Sequence, residues 1–195
     1  MKESYIFLAD GFEEVEALTP IDVLRRAGMP VKTVSISHSR QVTGAHGVIV
    51  TADLVYDPVI FTNPEWFILP GGMPGATNLY DFAPLGGLLK RHHEQGGKIA
   101  AICASPAVVL GQLGILNGEN ATCYPGFEQF AHGANMIDSP VVISHNLVTG
   151  NGPANALVWS LAIVGKEMGE SDARAVATGM LLYEKPLSDI DFTFG

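Results

Sequence analysis

Only two cysteines occur in the 195 residues, Cys103 and Cys123, and they form no CxxC pair. That excludes a disulfide framework and a cysteine-built metal site, and it fits a reducing compartment. Positive charge is also scarce: eleven Lys and Arg stand against twenty Asp and Glu, a net charge of -9. Nucleic-acid binding needs a basic patch, so nucleic acid is a poor partner, and an anionic membrane surface is disfavoured for the same reason. No apolar run is long enough to span a bilayer, and the five-residue run before Asp10 is too short for a signal-peptide core. A soluble, cytoplasmic protein is the expectation. The dinucleotide-binding glycine fingerprint and the P-loop are missing as well, which removes the common phosphate-cradling motifs.

What is present is ordinary globular composition, 47% hydrophobic and 16% charged, in a length that suits one domain over residues 1–195. "SYIFLA" is a compact apolar run, and residues 13–28 read as a helix stopped at Gly28 before Pro30. "VKTVSIS" and "GVIVTADL" are strand-like. "EWFILPGG" is a buried run ended by a turn, and "PLGGLLKRHHEQGG" an amphipathic helix with a glycine stop. "KIAAIC" is a further strand, "SPAVVLGQLG" a helix with Pro106 in its first turn, and "VVISHNLVTG" a hairpin. "PANALVWSLAIVGKEMG" and "ESDARAVATGMLLY" close the pattern as helices. Strands alternating with helices imply a mostly parallel sheet covered on both faces. In such sheets ligands sit beyond the carboxyl ends of the strands, and "DGFEEVE", "PGGMPG" and "CAS" all fall there.

Projected at about 100° per residue, residues 13–28 place Ala17, Pro20, Val23, Leu24 and Ala27 on a core stripe, with Glu16 among them. A buried carboxylate must be paired, hydrogen-bonded or protonated. Glu13 also points inward, but as a first-turn residue it serves the helix dipole; Glu14 lies towards an edge of the stripe. Pro20 donates no hydrogen bond to the Glu16 carbonyl, so local irregularity is expected at Glu16. Glu16 is then either a buried acid satisfied by backbone amides or a functional group. Gly71 and Gly72 either form a plain turn or bring bare backbone to a small ligand, one amide facing developing negative charge.

Cys103 ends a strand and opens a helix, where unpaired amides and the helix dipole favour a thiolate; the same bend serves serine hydrolases as a nucleophile elbow. The bland reading is a packing residue. A triad would need a base, and the histidines after Cys103 are His132 and His145, with none from 146 to 195. His132 is the candidate by exclusion, against a plain solvent-facing loop residue.

The blocks "ADGFEEVEALTPIDVLRRAG", "LPGGMPGATNL", "AAICASP" and "GNGPANALVWSLAIV" resemble, in that order, the ThiJ/PfpI superfamily, in its branch around the parkinsonism-associated protein deglycase and bacterial ThiJ-like proteins. The resemblance implies a flavodoxin-like three-layer sandwich, a homodimer, a nucleophilic Cys103 and a protonated Glu16 on its sulfur. It also implies oxyanion amides at Gly72 and Ala104. The family dimer uses the first helix, which places the outward-pointing Val15 and Leu18 at a twofold interface. Two departures stand out: Tyr124 takes the place of a family histidine, and His46 in "GAHG" takes that of an anion-binding arginine. Arg26 matches a family arginine and is either an anion ligand or a solvated helix charge. A phenol is a poor base near neutrality, so Tyr124 is expected to orient substrate or donate a hydrogen bond rather than shuttle protons as a histidine would.

The leading expectation is a cofactor-independent enzyme acting on a small-molecule carbonyl such as methylglyoxal or its early adducts, of the glyoxalase or deglycase type. The alternatives are a redox-responsive or chaperone protein in which Cys103 becomes a sulfinate, and a PfpI-type intracellular peptidase.

Overall fold

A computed structural model describes residues 1–182. In chain order the elements are β1 (Ser4–Leu8), α1 (Glu14–Arg26), β2 (Val31–Ser35), β3 (Gln41–Thr43), β4 (Ile49–Thr51), β5 (Leu54–Val55) and β6 (Trp66–Leu69). There follow α2 (Gly75–Asp81), α3 (Ala83–Glu94), β7 (Lys98–Ile102), a π-helix over Pro106–Gly111, β8 (Asn120–Ala121) and β9 (Asn135–Met136). β10 (Val141–Ser144), β11 (Leu147–Gly150), α4 (Ala156–Met168) and α5 (Glu170–Gly179) complete it. Tyr183, the last residue of the stretch read as the final helix, lies outside the described residues.

The main sheet runs β10-β11-β7-β6-β1-β2-β5, and every pairing is parallel except β10 with β11. Without the edge strands β5 and β10, the order is that of a doubly wound flavodoxin-like sheet, reversing between β1 and β6. β1 and β6 are buried at every position because both faces are covered. Phe7, Phe67 and Leu69 pack beneath α2, α3 and the π-helix. Ile6, Trp66 and Ile68 pack beneath α1 and α4. Trp159 of α4 is fully buried, with its indole N–H on the Val148 carbonyl at 3.1 Å. Burying each such side chain contributes about 1.5–3 kcal/mol, which fixes the framework from which the loops project.

Several local expectations are revised. "GVIVTADL" is broken in two: β4 pairs with β3 in a separate hairpin, and β5 joins the edge of the main sheet. The break falls at Asp53, whose carboxylate accepts from the Thr33 N–H at 2.9 Å and pairs with Arg25 at 2.9 Å, drawing the chain back to β2. The segment after Cys103 is a single π-helical stretch rather than an α-helix. α1 continues unbroken through Pro20, so no interruption marks Glu16. Among the described residues, no helix is long and apolar enough to cross a membrane.

Candidate active site

Three loops leave the carboxyl edge of the sheet and meet: the turn after β1 at Gly11, the turn after β6 at Gly71 and Gly72, and the bend after β7 at Cys103. Gly75 N–H donates to the Gly11 carbonyl at 3.1 Å, and Glu13 N–H donates to the Gly71 carbonyl at 2.9 Å. Ser105 Oγ donates to the Pro70 carbonyl at 2.6 Å, tying the cysteine bend to the β6 turn.

Cys103 has φ +63°, a left-handed conformation that costs a residue with a Cβ about 1–3 kcal/mol and is kept only where neighbours hold it. They hold it from both sides: its N–H donates to the Gly150 carbonyl at 2.9 Å, and its carbonyl accepts from Tyr124 N–H at 2.8 Å. The backbone N–H groups of Gly72 and Ala104 reach its sulfur. Cys103 is thus a strained elbow residue, 9% exposed, with its thiol facing two amides.

Glu16 is fully buried at the first turn of α1. Glu13 is the N-cap rather than a first-turn residue, and its carboxylate accepts the Glu16 N–H at 2.8 Å. The Glu16 Oε2 accepts Gly71 N–H at 2.9 Å, while Oε1 is buried with no hydrogen-bond partner of good geometry among the described residues. The carboxyl's other neighbour is the Cys103 thiol. Gly71 makes this approach possible, because a Cβ there would lie 2.6 Å from both Glu16 Oε2 and Cys103 Cβ.

Desolvation pushes the Glu16 carboxyl up to about 7, with the charge of Glu13 adding to the rise and the thiol and Gly71 N–H opposing it. Desolvation and then the charge of Glu16 push the Cys103 thiol up to about 12, against the pull of the Gly72 and Ala104 amides. The second cause exists only while Glu16 is ionised. Two adjacent negative charges are what the site resists, so the pair sheds one proton near neutrality and keeps the other between carboxyl and sulfur. A neutral acid beside a thiolate held by two amides can add to an electrophilic carbonyl and return a proton to the oxygen it creates.

Glu16, Gly72, Cys103 and Ala104 are brought together. Tyr124 stands beside them, its backbone on Cys103 and its 45%-exposed side chain in an edge contact with Phe127. Arg26 is not brought there: it pairs with Asp22 ten residues along α1, about 15 Å from Glu16 at the helical rise. There it lines a cavity of about 410 Å³ with Asp172 and Val176. His132 is exposed on a turn, with no contact to the elbow among the described residues. Val15 and Leu18 are exposed, as their projection requires.

Glu14 lies towards the edge of the core stripe on α1 alone, yet it is 8% exposed, because the β3–β4 hairpin covers it. Its Oε1 accepts His46 N–H at 2.7 Å, and its Oε2 meets the His46 Nδ1 at 2.7 Å. The sequence signal for this clamp was the small-residue loop "TGAHG", which admits a carboxylate against bare backbone.

Residues 2–166 match the model of the DJ-1/PfpI family. The chain belongs to that family. Among the relatives, Protein DJ-1 homolog B of Arabidopsis thaliana is 34% identical over 98% of this chain but 44% of its own length. The chain spans about half the length of that protein and of Arabidopsis homolog A, of which it covers 50%. Deglycase PH1704 of Pyrococcus horikoshii is 32% identical over 77% of this chain and 90% of its own. Oxidized Toxoplasma gondii DJ-1 superposes with a TM-score of 0.89 at 37% identity, over 94% of this chain and all of that one. The DJ-1/PfpI fold is therefore this chain's fold.

Proposed function

We propose that this DJ-1/PfpI chain is a cysteine-dependent protective enzyme acting on reactive carbonyls, of the glyoxalase or deglycase type. The observation that carries the reading is a fully buried carboxyl beside a thiol on a strained elbow faced by two amides. A related chain bears the name deglycase. In the proposed reaction the Cys103 thiolate forms a C–S bond to the aldehyde carbon of methylglyoxal, and the oxyanion turns to the Gly72 and Ala104 amides. Glu16 gives that oxygen its proton, leaving a hemithioacetal. As carboxylate, it then takes the carbon-bound proton and returns it to the neighbouring carbon through an enediol. The product is a thioester of a 2-hydroxy acid, and water cleaves its C–S bond.

Steady-state turnover of methylglyoxal by the pure protein tests the proposal. Cys103→Ser is expected to lower kcat/KM by at least about a hundredfold, since a hydroxyl is far less ionised than a thiol at the same site. Tyr124→His retains turnover. A serine variant within about tenfold of the wild type would remove the cysteine from the mechanism. Turnover appearing only after Tyr124→His would favour the second reading, in which Cys103 is a redox sensor. That reading rests on the same acid, which can donate to a sulfinate oxygen, and on the oxidized state of the Toxoplasma relative. Stoichiometric sulfinate by intact mass after mild peroxide, without carbonyl turnover, would establish it.

We also propose a homodimer through the face that carries Val15 and Leu18, 49% and 42% exposed, with Val48 at 49% on the hairpin that clasps Glu14. Val15 and Leu18, three residues apart on one outward side of α1, fit a self-complementary contact. Sedimentation velocity at micromolar concentration is expected to show a dimer that Val15→Glu dissociates. Monomer alone for the unmodified chain would exclude it.

A further inference from the structure

Glu13, Glu16 and Gly71 are closed into a ring of three hydrogen bonds. Glu16 N–H donates to Glu13 Oε2 at 2.8 Å, Gly71 N–H donates to Glu16 Oε2 at 2.9 Å, and Glu13 N–H donates to the Gly71 carbonyl at 2.9 Å. We infer that Glu13 is a positioning residue for the Cys103–Glu16 pair: its carboxylate, held one turn of α1 ahead of Glu16, drives the shared proton onto Glu16 and so puts charge on the sulfur. The inference rests on the carbonyl reading only for its effect on turnover.

An N-cap needs only an oxygen for the helix amide, and Ser or Thr supplies one without charge. Glutamate at the cap instead sets a second carboxylate close to a fully buried acid. The positive end of the helix dipole by itself favours ionised Glu16, and Glu13 opposes that pull. Burial raises the Glu16 carboxyl most, and the charge of Glu13 is the other influence that raises it.

The β6 turn is shaped to admit this arrangement. A Cβ at Gly72 would lie 2.3 Å from the Glu13 nitrogen, and one at Gly71 would lie 2.6 Å from Glu16 Oε2 and from Cys103 Cβ, so the head of α1 presses on bare backbone. Among the described residues, the titratable groups acting on Glu16 are Cys103, from the bend after β7, and Glu13; the β6 turn adds the Gly71 N–H. On its outer side Glu13 meets Glu14 and His46, one donor atom of each lying within 4.8 Å of the others, and neither of these acts on Glu16. The thiol answers to burial, to Glu16 and to the Gly72 and Ala104 amides, and Glu13 is not among its influences. Glu13 therefore discriminates between the two homes of the proton, because it disfavours the carboxylate more than the thiolate.

The step it favours moves one proton from Sγ to a Glu16 oxygen: an S–H bond breaks, an O–H bond forms, and the charge of the pair stays the same. In the proposed reaction this is the form that attacks, with the thiolate closing on the carbonyl carbon while Glu16 holds the proton for the new oxygen. Glu13 enlarges its share without touching substrate.

Two substitutions keep a favoured cap and differ in charge: Glu13→Ser removes the carboxylate, and Glu13→Asp retains it. Iodoacetamide alkylation of Cys103 across pH, followed by intact mass, reads the thiolate without any carbonyl substrate. In Glu13→Ser the plateau above about pH 8 is expected to be about threefold lower, and the midpoint lower by the matching shift of about half a unit. Below about pH 5.5 its rate stays within about 1.5-fold of the wild type, because there the thiolate forms beside an acid that is neutral in both proteins. Glu13→Asp reproduces the wild-type profile. A Glu13→Ser profile that superimposes on the wild type, a loss of equal size at every pH, or a Glu13→Asp plateau as low as that of Glu13→Ser would each overturn the assignment. A wild type with no step near 7 would remove the acid–thiol pair and this inference with it. The expected profiles without methylglyoxal turnover would instead sink the carbonyl reading and leave the role of Glu13 standing.

Discussion

Glu16→Gln is expected to be more stable than the unmodified chain at pH 8, by about 3 kcal/mol at most, and to lose that advantage below about pH 4.5. The sign follows from linkage. Burial raises the folded-state value of Glu16 from the ordinary 4.5 to about 7. Below the ordinary value the carboxyl is protonated whether the chain is folded or not, so its ionisation contributes nothing. As pH rises the unfolded chain releases its proton first, and the folded state is penalised increasingly until it ionises as well near 7. Glutamine removes this penalty while its amide oxygen still accepts the Gly71 N–H that Glu16 Oε2 holds at 2.9 Å. Urea unfolding at the two pH values measures the difference. A variant that is less stable at pH 8, or a gap that is the same at both pH values, would contradict a raised carboxyl. A buried group that costs stability at working pH is explained by what it does to the sulfur beside it.

Much of this arrangement is legible in the sequence because it depends on periodicity and punctuation. The apolar runs of β1, β6 and β7 end in Asp-Gly, Pro-Gly-Gly and Cys-Ala-Ser, and a parallel sheet places all three ends on one edge. Glu16 stands out because 3.6 residues per turn carries it onto the side of Pro20 and Val23, where the structure finds it fully buried. What periodicity cannot show is what tertiary neighbours add. Glu14 is at the stripe's edge on α1 alone, and its burial comes from a hairpin thirty residues further on. The His46 contact with Glu14 is likewise a carboxylate pairing across 32 residues that no spacing reveals. The apolar pattern after Pro106 specifies burial, but the change to π-type hydrogen bonding is invisible to it. β8 and β9, two residues each, are too short to carry any period. Arg26 matches by motif, but motif does not show that it lies about 15 Å along α1 from the Glu16 of its own chain, paired with Asp22.

Alkylation of Cys103 is expected to report the carboxyl as much as the thiol. Once the pair has lost its first proton near 7, the carboxylate beside the thiol is the favoured form, and the minor form with the proton passed to Glu16 puts charge on a sulfur faced by the Gly72 and Ala104 amides. The second proton leaves only near 12, because burial, and then the charge of Glu16, oppose a charge on the thiol. Reactivity therefore rises through the first ionisation and then levels, unlike a free thiol, whose rate keeps climbing through its own ordinary value of about 8.5. In Glu16→Gln the step near 7 disappears, since the amide cannot ionise or share a proton with sulfur.

The pH dependence of iodoacetamide modification at Cys103, followed by intact mass on the unmodified chain, tests the coupled acid and thiol most directly. The expected result is a single rise with a midpoint of about 7 and a plateau above about pH 8. A rate that still climbs tenfold between about pH 8 and pH 10, as an isolated thiol would, or one unchanged by Glu16→Gln, would mean that the two groups do not share a proton.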